Sequence, residues 1–302
     1  MSERAPLVSI GIPTYNREHL VGRAIESALR QDYPNIEIVI SDNASTDATP
    51  EICERYASEH AGMRYIRQTV NLGATRNFDA VLQQSSGLYF MWLGDDDWLD
   101  SNYVSLAVAR LETDNEVALV SGTPLYYAKG IHQGAGQVFS LLQRSAWLRV
   151  LTYYWKVGDN GVFYGLTRRS DLQQSTLPNC MGGDWLFMAN AAARGKVVML
   201  AETSVHRELG GATASYADIA RVLGLPSLRA VFPHVSIAAH AFSDIAFRSP
   251  TYKNLPACTR YAWAASAFGC IVLKASVDQA RSWAVRARNR LRRAVAMVLA
   301  PR

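Results

Sequence analysis

The stretch Tyr89-Phe90-Met91-Trp92-Leu93-Gly94-Asp95-Asp96-Asp97 decides how the rest of the chain is read. Five consecutive large apolar residues suit a strand buried on both faces, and three carboxylates follow almost at once. Adjacent carboxylates repel one another, so the triplet costs free energy unless a cation neutralises it. Mg²⁺ or Mn²⁺ is the natural neutraliser. Either takes one or two protein carboxylates and completes its shell from substrate phosphates. A solvated acidic turn, or a helix start enriched in Asp, is the plainer alternative.

Toward the N-terminus, strand and helix signals alternate. Residues 7–12 predict a buried strand ending in the turn Pro13-Thr14-Tyr15-Asn16. Leu20, Val21, Ala24, Ile25, Ala28 and Leu29 then recur at the spacing of an amphipathic helix. Residues 36–40 predict a second strand. It ends in the polar run 41–49, where Thr49 caps a helix with Pro50 at its first position. Residues 63–66 predict a third strand and residues 75–84 a helix. After the triplet, a helix capped by Ser101 leads to a strand at 117–121. Repeated strand–helix–strand units imply a parallel, doubly wound α/β sheet. Ligands sit at the carboxyl ends of such strands, which is where the polar clusters 14–16, 42–47 and 95–97 fall.

The middle third is less regular. Residues 140–155 predict a helix, 162–167 a strand, and 196–200 another strand. Gly182-Gly183-Asp184 opens a helix running to residue 194. Beyond residue 216 the pattern is helical with proline breaks.

Bulk properties narrow the function. The 302 residues suffice for a full core, and 49% hydrophobic content with 19% charge excludes a disordered chain. Net charge is +5, with seven arginines between Arg281 and Arg302, so the basicity is local. A nucleic-acid binder spreads its charge over a face, and no nucleic-acid partner is expected. Cys53, Cys180, Cys258 and Cys270 lack paired spacing, which points to reduced thiols in a cytosolic protein rather than a disulfide framework or zinc site. The N-terminus has no apolar signal core. The longest apolar stretch, 261–277, contains Lys274 and is too rich in Ala, Ser and Gly to span a membrane.

Individual motifs carry limited weight. The run Ser41-Asp42-Asn43-Ala44-Ser45-Thr46-Asp47 reads alone as an Asx-rich loop, although Asp42 at a strand end can accept from a ribose or base. Tyr15 can stack on a base. No G-x-G-x-x-G follows the first strand and no G-x-x-x-x-G-K-[ST] occurs, which excludes the usual dinucleotide and P-loop enzymes.

Taken in order, four motifs resemble a known family. Pro13-Thr14-Tyr15-Asn16-Arg17, Ser41 through Asp47, Asn71-Leu72-Gly73 with Arg76-Asn77, and Gly94-Asp95-Asp96-Asp97 are similar to the family-2 glycosyltransferases of GT-A fold. The wording of these motifs resembles the abequosyltransferase-type enzymes of bacterial O-antigen synthesis. The resemblance is dense over residues 7–100 and weaker to about residue 215. It implies an α/β fold, the doubly wound mixed sheet of nucleotide-diphospho-sugar transferases, with a C-terminal helical extension. Residues 1–122 would form the nucleotide-sugar-binding half and 123–215 the acceptor and catalytic half of one domain. Residues 216–302 would form a helical region ending in a basic arm.

The resemblance also assigns roles. Pro13, Thr14, Tyr15, Asn16, Asp42, Asn71, Arg76, Asp95 and Asp96 would bind the nucleotide sugar, a UDP, dTDP, GDP or CDP derivative. Asp96, with Asp97 and His206, would hold Mn²⁺ or Mg²⁺ at the diphosphate. The family's first aspartate of this motif is Gly94 here, which leaves open which flanking carboxylate meets the sugar. Inverting transfer needs a carboxylate to take the acceptor's proton, and Asp184 stands in the equivalent place; an N-cap is the alternative reading of Asp184. The segment 206–213 resembles the loop that closes over the diphosphate, with Gly210-Gly211 as hinge.

The C-terminal arm places Trp283, Ala287, Leu291, Ala294, Val295 and Val298 on one helical stripe among arginines. Such a helix suits the anionic inner face of a cell membrane, at about 1 kcal/mol per basic residue. The expected protein is therefore an inverting, metal-dependent glycosyltransferase, peripheral on that membrane, acting on a lipid-linked saccharide. Packing of the arm on the catalytic domain, an oligomer contact and nonspecific nucleic-acid affinity are its other readings. A sugar-nucleotide nucleotidyltransferase and a degenerate binding subunit are the alternative functions.

Overall fold

A computed structural model of the protein describes residues 5–173, 177–210 and 215–299, the side chains of 173, 287 and 289–299 excepted. The first part alternates as its periodicity predicts: β1 (Val8–Thr14), α1 (Val21–Leu29), β2 (Ile36–Asp42), α2 (Thr49–Glu59), β3 (Met63–Arg67), α3 (Ala74–Gln84) and β4 (Tyr89–Trp92). β1 pairs in parallel with both β2 and β4, and β2 in parallel with β3.

After the aspartates come β5 (Trp98–Leu99), α4 (Tyr103–Thr113), β6 (Val117–Ala128), β7 (Ile131–Ala135) and α5 (Ala146–Lys156). A 3₁₀ turn (Gly161–Tyr164), β8 (Leu166–Arg168), α6 (Arg169–Gln173), α7 (Gly183–Arg194) and β9 (Lys196–Glu208) follow. The C-terminal region holds α8 (Tyr216–Val222), α9 (Leu228–Val231), α10 (Pro233–Ser243), a π-turn (Asp244–Arg248) and α11 (Ala257–Leu299).

The strand order is β3-β2-β1-β4-β8-β6-β9-β5, with β7 hydrogen-bonded to β6. The sheet is mixed. β8 is inserted antiparallel between β4 and β6, which the strand-helix alternation alone did not foretell. β6 spans residues 122 and 123, where its pairing with β9 shifts register from Leu200 to Ser204.

Alternation along β4 shows why this strand is central. Phe90 and Trp92 enter one core with Phe163, Phe187 and Leu119. Tyr89, Met91 and Leu93 enter the other with Val8, Ile10, Ile12, Ile25 and Val104. Each face of the sheet is covered by helices, so β4 is buried on both sides. Trp92 stacks on Phe163 at 5.2 Å between centroids and 4° between planes, and its indole N–H donates to the Phe78 carbonyl at 3.0 Å. Gly11 allows Phe90 this close: a Cβ at Gly11 would stand 2.9 Å from the ring.

Several boundaries differ from expectation for identifiable reasons. Helix α5 begins at residue 146, because Leu141 is used in a bridge to Val197 and Ser145 caps the helix through Leu148 N–H. The apolar run at 162–164 is a 3₁₀ turn rather than strand, since Phe163 folds under Trp92. Ala48 and Asn102, not Thr49 and Ser101, occupy the N-cap positions of α2 and α4. α7 starts after Gly182 (φ 72°), so Asp184 lies in the first turn and is not the cap. β9 is much longer than the predicted 196–200. Its extension pairs with β6 over Ser204–Glu208 and with β5 at Trp98–His206. That extension brings His206, Arg207 and Glu208 to the aspartate triplet.

Candidate active site

Three loops at the carboxyl ends of β1, β2 and β4 meet. Asn16, at φ 53°, accepts from Thr46 N–H (2.8 Å) and donates its own N–H to Ser45 Oγ (2.9 Å). Asn is among the residues that tolerate this conformation best. Asn43 Oδ1 accepts from Leu72 N–H at 2.7 Å, and Asn43 Nδ2 donates to Asn71 Oδ1 at 2.9 Å, so Asn71 locks the third loop to the second. Buried Asn77 completes the joint, donating to the Ser41 carbonyl (2.9 Å) and accepting from Ser41 Oγ (2.7 Å). Of the predicted nucleotide-binding residues, Asn16 and Asn71 thus belong to one continuous hydrogen-bonded frame. Pro13 and Thr14 are buried at the end of β1, while Tyr15 is exposed at the rim. Arg76 is exposed at the start of α3, with no hydrogen bond or ion pair among the described residues.

Asp42 closes β2 beneath the second loop. It is fully buried and its carboxylate accepts from Ser45 N–H (2.9 Å) and Tyr65 O–H (2.8 Å), with Arg67 at 3.7 Å. These bonds hold the second loop from below.

The triplet resolves into three distinct environments. Asp95 accepts from Tyr15 N–H and from Arg17 Nε, both at 3.3 Å. Burial, reinforced by Asp96, pushes its pKa up to about 6. Asp97, 2% exposed, accepts from Glu208 N–H at 3.1 Å and faces Arg207 Nε at 3.5 Å. Burial raises its pKa against the pull of Arg207. Asp96 sits between them, and its carboxylate has no hydrogen bond or ion pair among the described residues. Only its backbone carbonyl is engaged, by Arg23 at 2.7 Å. Gly94 fits this crowding, because a Cβ there would lie 2.7 Å from Asp97 Oδ2.

This arrangement tests the expected metal set. Asp96 is free to ligate. Asp97 is already matched by a cation, and His206 is committed at both ring nitrogens, to Asp100 (2.7 Å) and Tyr127 O–H (3.1 Å), while stacked on Trp98 at 5.0 Å. Both ring nitrogens of His206 are thus engaged and Asp97 faces Arg207, so of the expected metal set the Asp96 carboxylate is the one without a partner among the described residues. No cluster of three or more metal-binding side chains occurs among the described residues. One carboxylate still suits a cation that completes its shell from a diphosphate. The closing loop expected at 206–213 lies partly outside the described residues.

Arginines that the sequence did not single out organise the surroundings of the triplet. Arg207 lies over Tyr164 (4.8 Å) and Tyr126 (5.7 Å), and donates to the Asp159 carbonyl at 3.3 Å. Burial opposes its charge, but Tyr164, Asp97 and Tyr126 outweigh it and raise its pKa. Arg23 lies 3.7 Å over Trp98 and pairs with Glu208 at 3.3 Å.

Asp184 accepts from Asn160 Nδ2 at 2.7 Å, and Asn160 Oδ1 in turn accepts from Tyr153 O–H at 2.9 Å. Burial raises the Asp184 pKa, opposed by Asn160, by backbone amides of the first helical turn and by Arg207. Arg207 therefore acts electrostatically on both Asp97 and Asp184. Asn160 sits at φ 49° before the 3₁₀ turn, a placement with no signal in the sequence.

Comparison with known proteins gives the family and the fold. The model of glycosyl transferase family 2 matches residues 9–191, and the chain belongs to that family. Glycosyltransferase GlyA of Streptococcus pneumoniae is 30% identical over 178 residues, covering 58% of this chain and 24% of its own. Abequosyltransferase RfbV of Salmonella typhimurium is 36% identical over 116 residues, 37% of this chain and 35% of its own. The match thus spans about a third or less of either relative. Among solved structures, the mannosyltransferase PcManGT of Pyrobaculum calidifontis, in complex with GDP-Man and Mn²⁺, superposes with a TM-score of 0.57 at 18% identity. It covers 98% of this chain and 81% of that one, and the shared fold is GT-A.

Proposed function

We propose that the chain transfers a sugar, with inversion, from a nucleoside diphosphate to a saccharide in bacterial surface-polysaccharide synthesis. The observation that carries this reading is the isolation of the Asp96 carboxylate between Asp95, matched by Arg17, and Asp97, matched by Arg207. Family membership and the metal-bearing mannosyltransferase of the same fold support it. Asp96 would hold Mn²⁺ or Mg²⁺, which when bound neutralises charge on the leaving diphosphate. The loops at 13–16, 42–46 and 71–76 frame the nucleoside, and Arg76 offers a cation to its phosphates.

Asp184 acts as the base. The acceptor hydroxyl gives its proton to the Asp184 carboxylate while its oxygen bonds to the anomeric carbon. The bond from that carbon to the diphosphate oxygen breaks, and the electron pair leaves with the diphosphate. A raised carboxyl pKa suits proton transfer near neutrality. Asn160 fixes the carboxylate's orientation, and Arg207 supplies fixed positive charge nearby.

The acceptor is proposed to be lipid-linked and the chain peripheral on a membrane. The last 77 residues carry twelve lysines and arginines against two aspartates, whereas the first 225 carry nineteen against twenty-four acids. No helix among the described residues is long and apolar enough to cross a membrane. Thermal shift with UDP, dTDP, GDP and CDP, each with and without Mn²⁺, tests the donor assignment. One nucleotide should stabilise the chain in a Mn²⁺-dependent way; no stabilisation by any would refute it. The same panel followed by donor hydrolysis separates a working enzyme from a degenerate binding subunit.

A further inference from the structure

The C-terminal helices expose apolar side chains that the catalytic cleft does not use. Phe247 and Tyr261 are 58% and 47% exposed, and their rings meet edge to face at 5.7 Å; Phe242 joins Phe247 at 6.3 Å. Beside them, Ala239, Phe242, Ala265 and Phe268 line an open groove of about 410 Å³ between α10 and α11. Tyr261, Ala265 and Phe268 share one face of α11 at helical spacing. Trp283, 64% exposed, returns to nearly that face about six turns later. A contiguous apolar patch of this kind on a soluble surface marks an interaction site.

The charges beside the patch say what covers it. Arg248 follows Phe247, Arg260 precedes Tyr261, and α11 runs on into the arginine-rich arm with no acid after Asp278. Apolar side chains framed by cations, on an otherwise acidic molecule, fit an anionic lipid surface: aromatic groups enter the acyl boundary and arginines meet phosphates.

The same helix reaches the catalytic end. His234, at the start of α10, packs on Trp185 of α7 (6.4 Å) and Tyr216 (5.7 Å), next to Asp184. Eight residues of helix, roughly 12 Å, separate His234 from Phe242. A lipid-linked acceptor docked at the patch would thus have its head group near the base.

We infer that the α10–α11 groove, with Phe247 and Tyr261 at its edge, is a docking site for the acyl region of an anionic bilayer. This rests on the peripheral-membrane reading and assigns the contact to a built patch rather than to the arginine arm alone. Co-flotation of the full chain with vesicles of phosphatidylcholine and phosphatidylglycerol at 3:1 tests it. Phe247→Ser with Tyr261→Ser should lower vesicle affinity at least tenfold, and Phe247→Leu with Tyr261→Phe should restore it. If the double serine variant floats like wild type while Arg281, Arg286 and Arg288→Gln abolishes binding, the patch is refuted and the membrane reading survives. If wild type itself does not float, the membrane reading fails. A lipid-free dimer that the serine variant dissociates would show a second copy on the patch, and would overturn the inference.

Discussion

Asp97 Oδ2 and Arg207 Nε face each other at 3.5 Å, and neither atom has a hydrogen-bond partner among the described residues. A buried charge pair depends on both members. Removing one strands the other in a low-dielectric site.

Arg207→Met should therefore destabilise the fold by about 3 kcal/mol, read as the shift in urea unfolding. Adding Asp97→Asn should recover part of that loss. Equal stability of wild type and Arg207→Met would show that the pair holds nothing together.

The proposed base gives a kinetic expectation. Asp184→Asn keeps the shape and the Asn160 contact region but accepts no proton. Its turnover should fall by about 10²–10⁴, with donor affinity measured by titration unchanged. A variant with near-normal turnover would move the base elsewhere.

His206→Ala should cost about 1–2 kcal/mol through the lost bonds to Asp100 and Tyr127 and the lost stacking on Trp98. Its Mn²⁺ affinity in the presence of nucleotide should stay within about twofold of wild type. A large loss of metal affinity would restore His206 as a ligand.

Away from the cleft, buried Asp244 links α10 to α7 by accepting from Asn190 Nδ2 at 3.1 Å. Burial pushes its pKa up to about 6. The folded state then holds a proton that the unfolded chain releases nearer pH 4, so stability should be highest below about pH 4 for this group and decline as pH rises to about 6. The span is about 3 kcal/mol. Asp244→Asn should flatten that slope in unfolding measured from pH 4 to pH 7; an unchanged slope would contradict it.

The first half of the chain was readable in the sequence because its elements are locally determined. Val8 to Thr14, the α1 stripe and the apolar run into Asp95–Asp97 each announce themselves by period and composition. Asp96 and Asp184 stood out as candidates for the same reason: acids at strand and helix ends are conspicuous. Arg207, Arg23 and Asn160 did not, because their importance comes from which distant residues they meet. Arg207 reaches Asp97 only because β9 extends far beyond its apolar stretch and zips onto β5. Periodicity likewise could not show that Val162 to Tyr164 turns under Trp92, since apolar runs fill strands and packed turns alike.

The most direct test of the central claim is calorimetric titration of Mn²⁺ into the chain saturated with the nucleoside diphosphate that stabilises it. Wild type should bind one equivalent, and Asp96→Asn should bind at least a hundredfold more weakly while retaining its fold by circular dichroism. Equal Mn²⁺ affinity in the two proteins would contradict a cation held by Asp96.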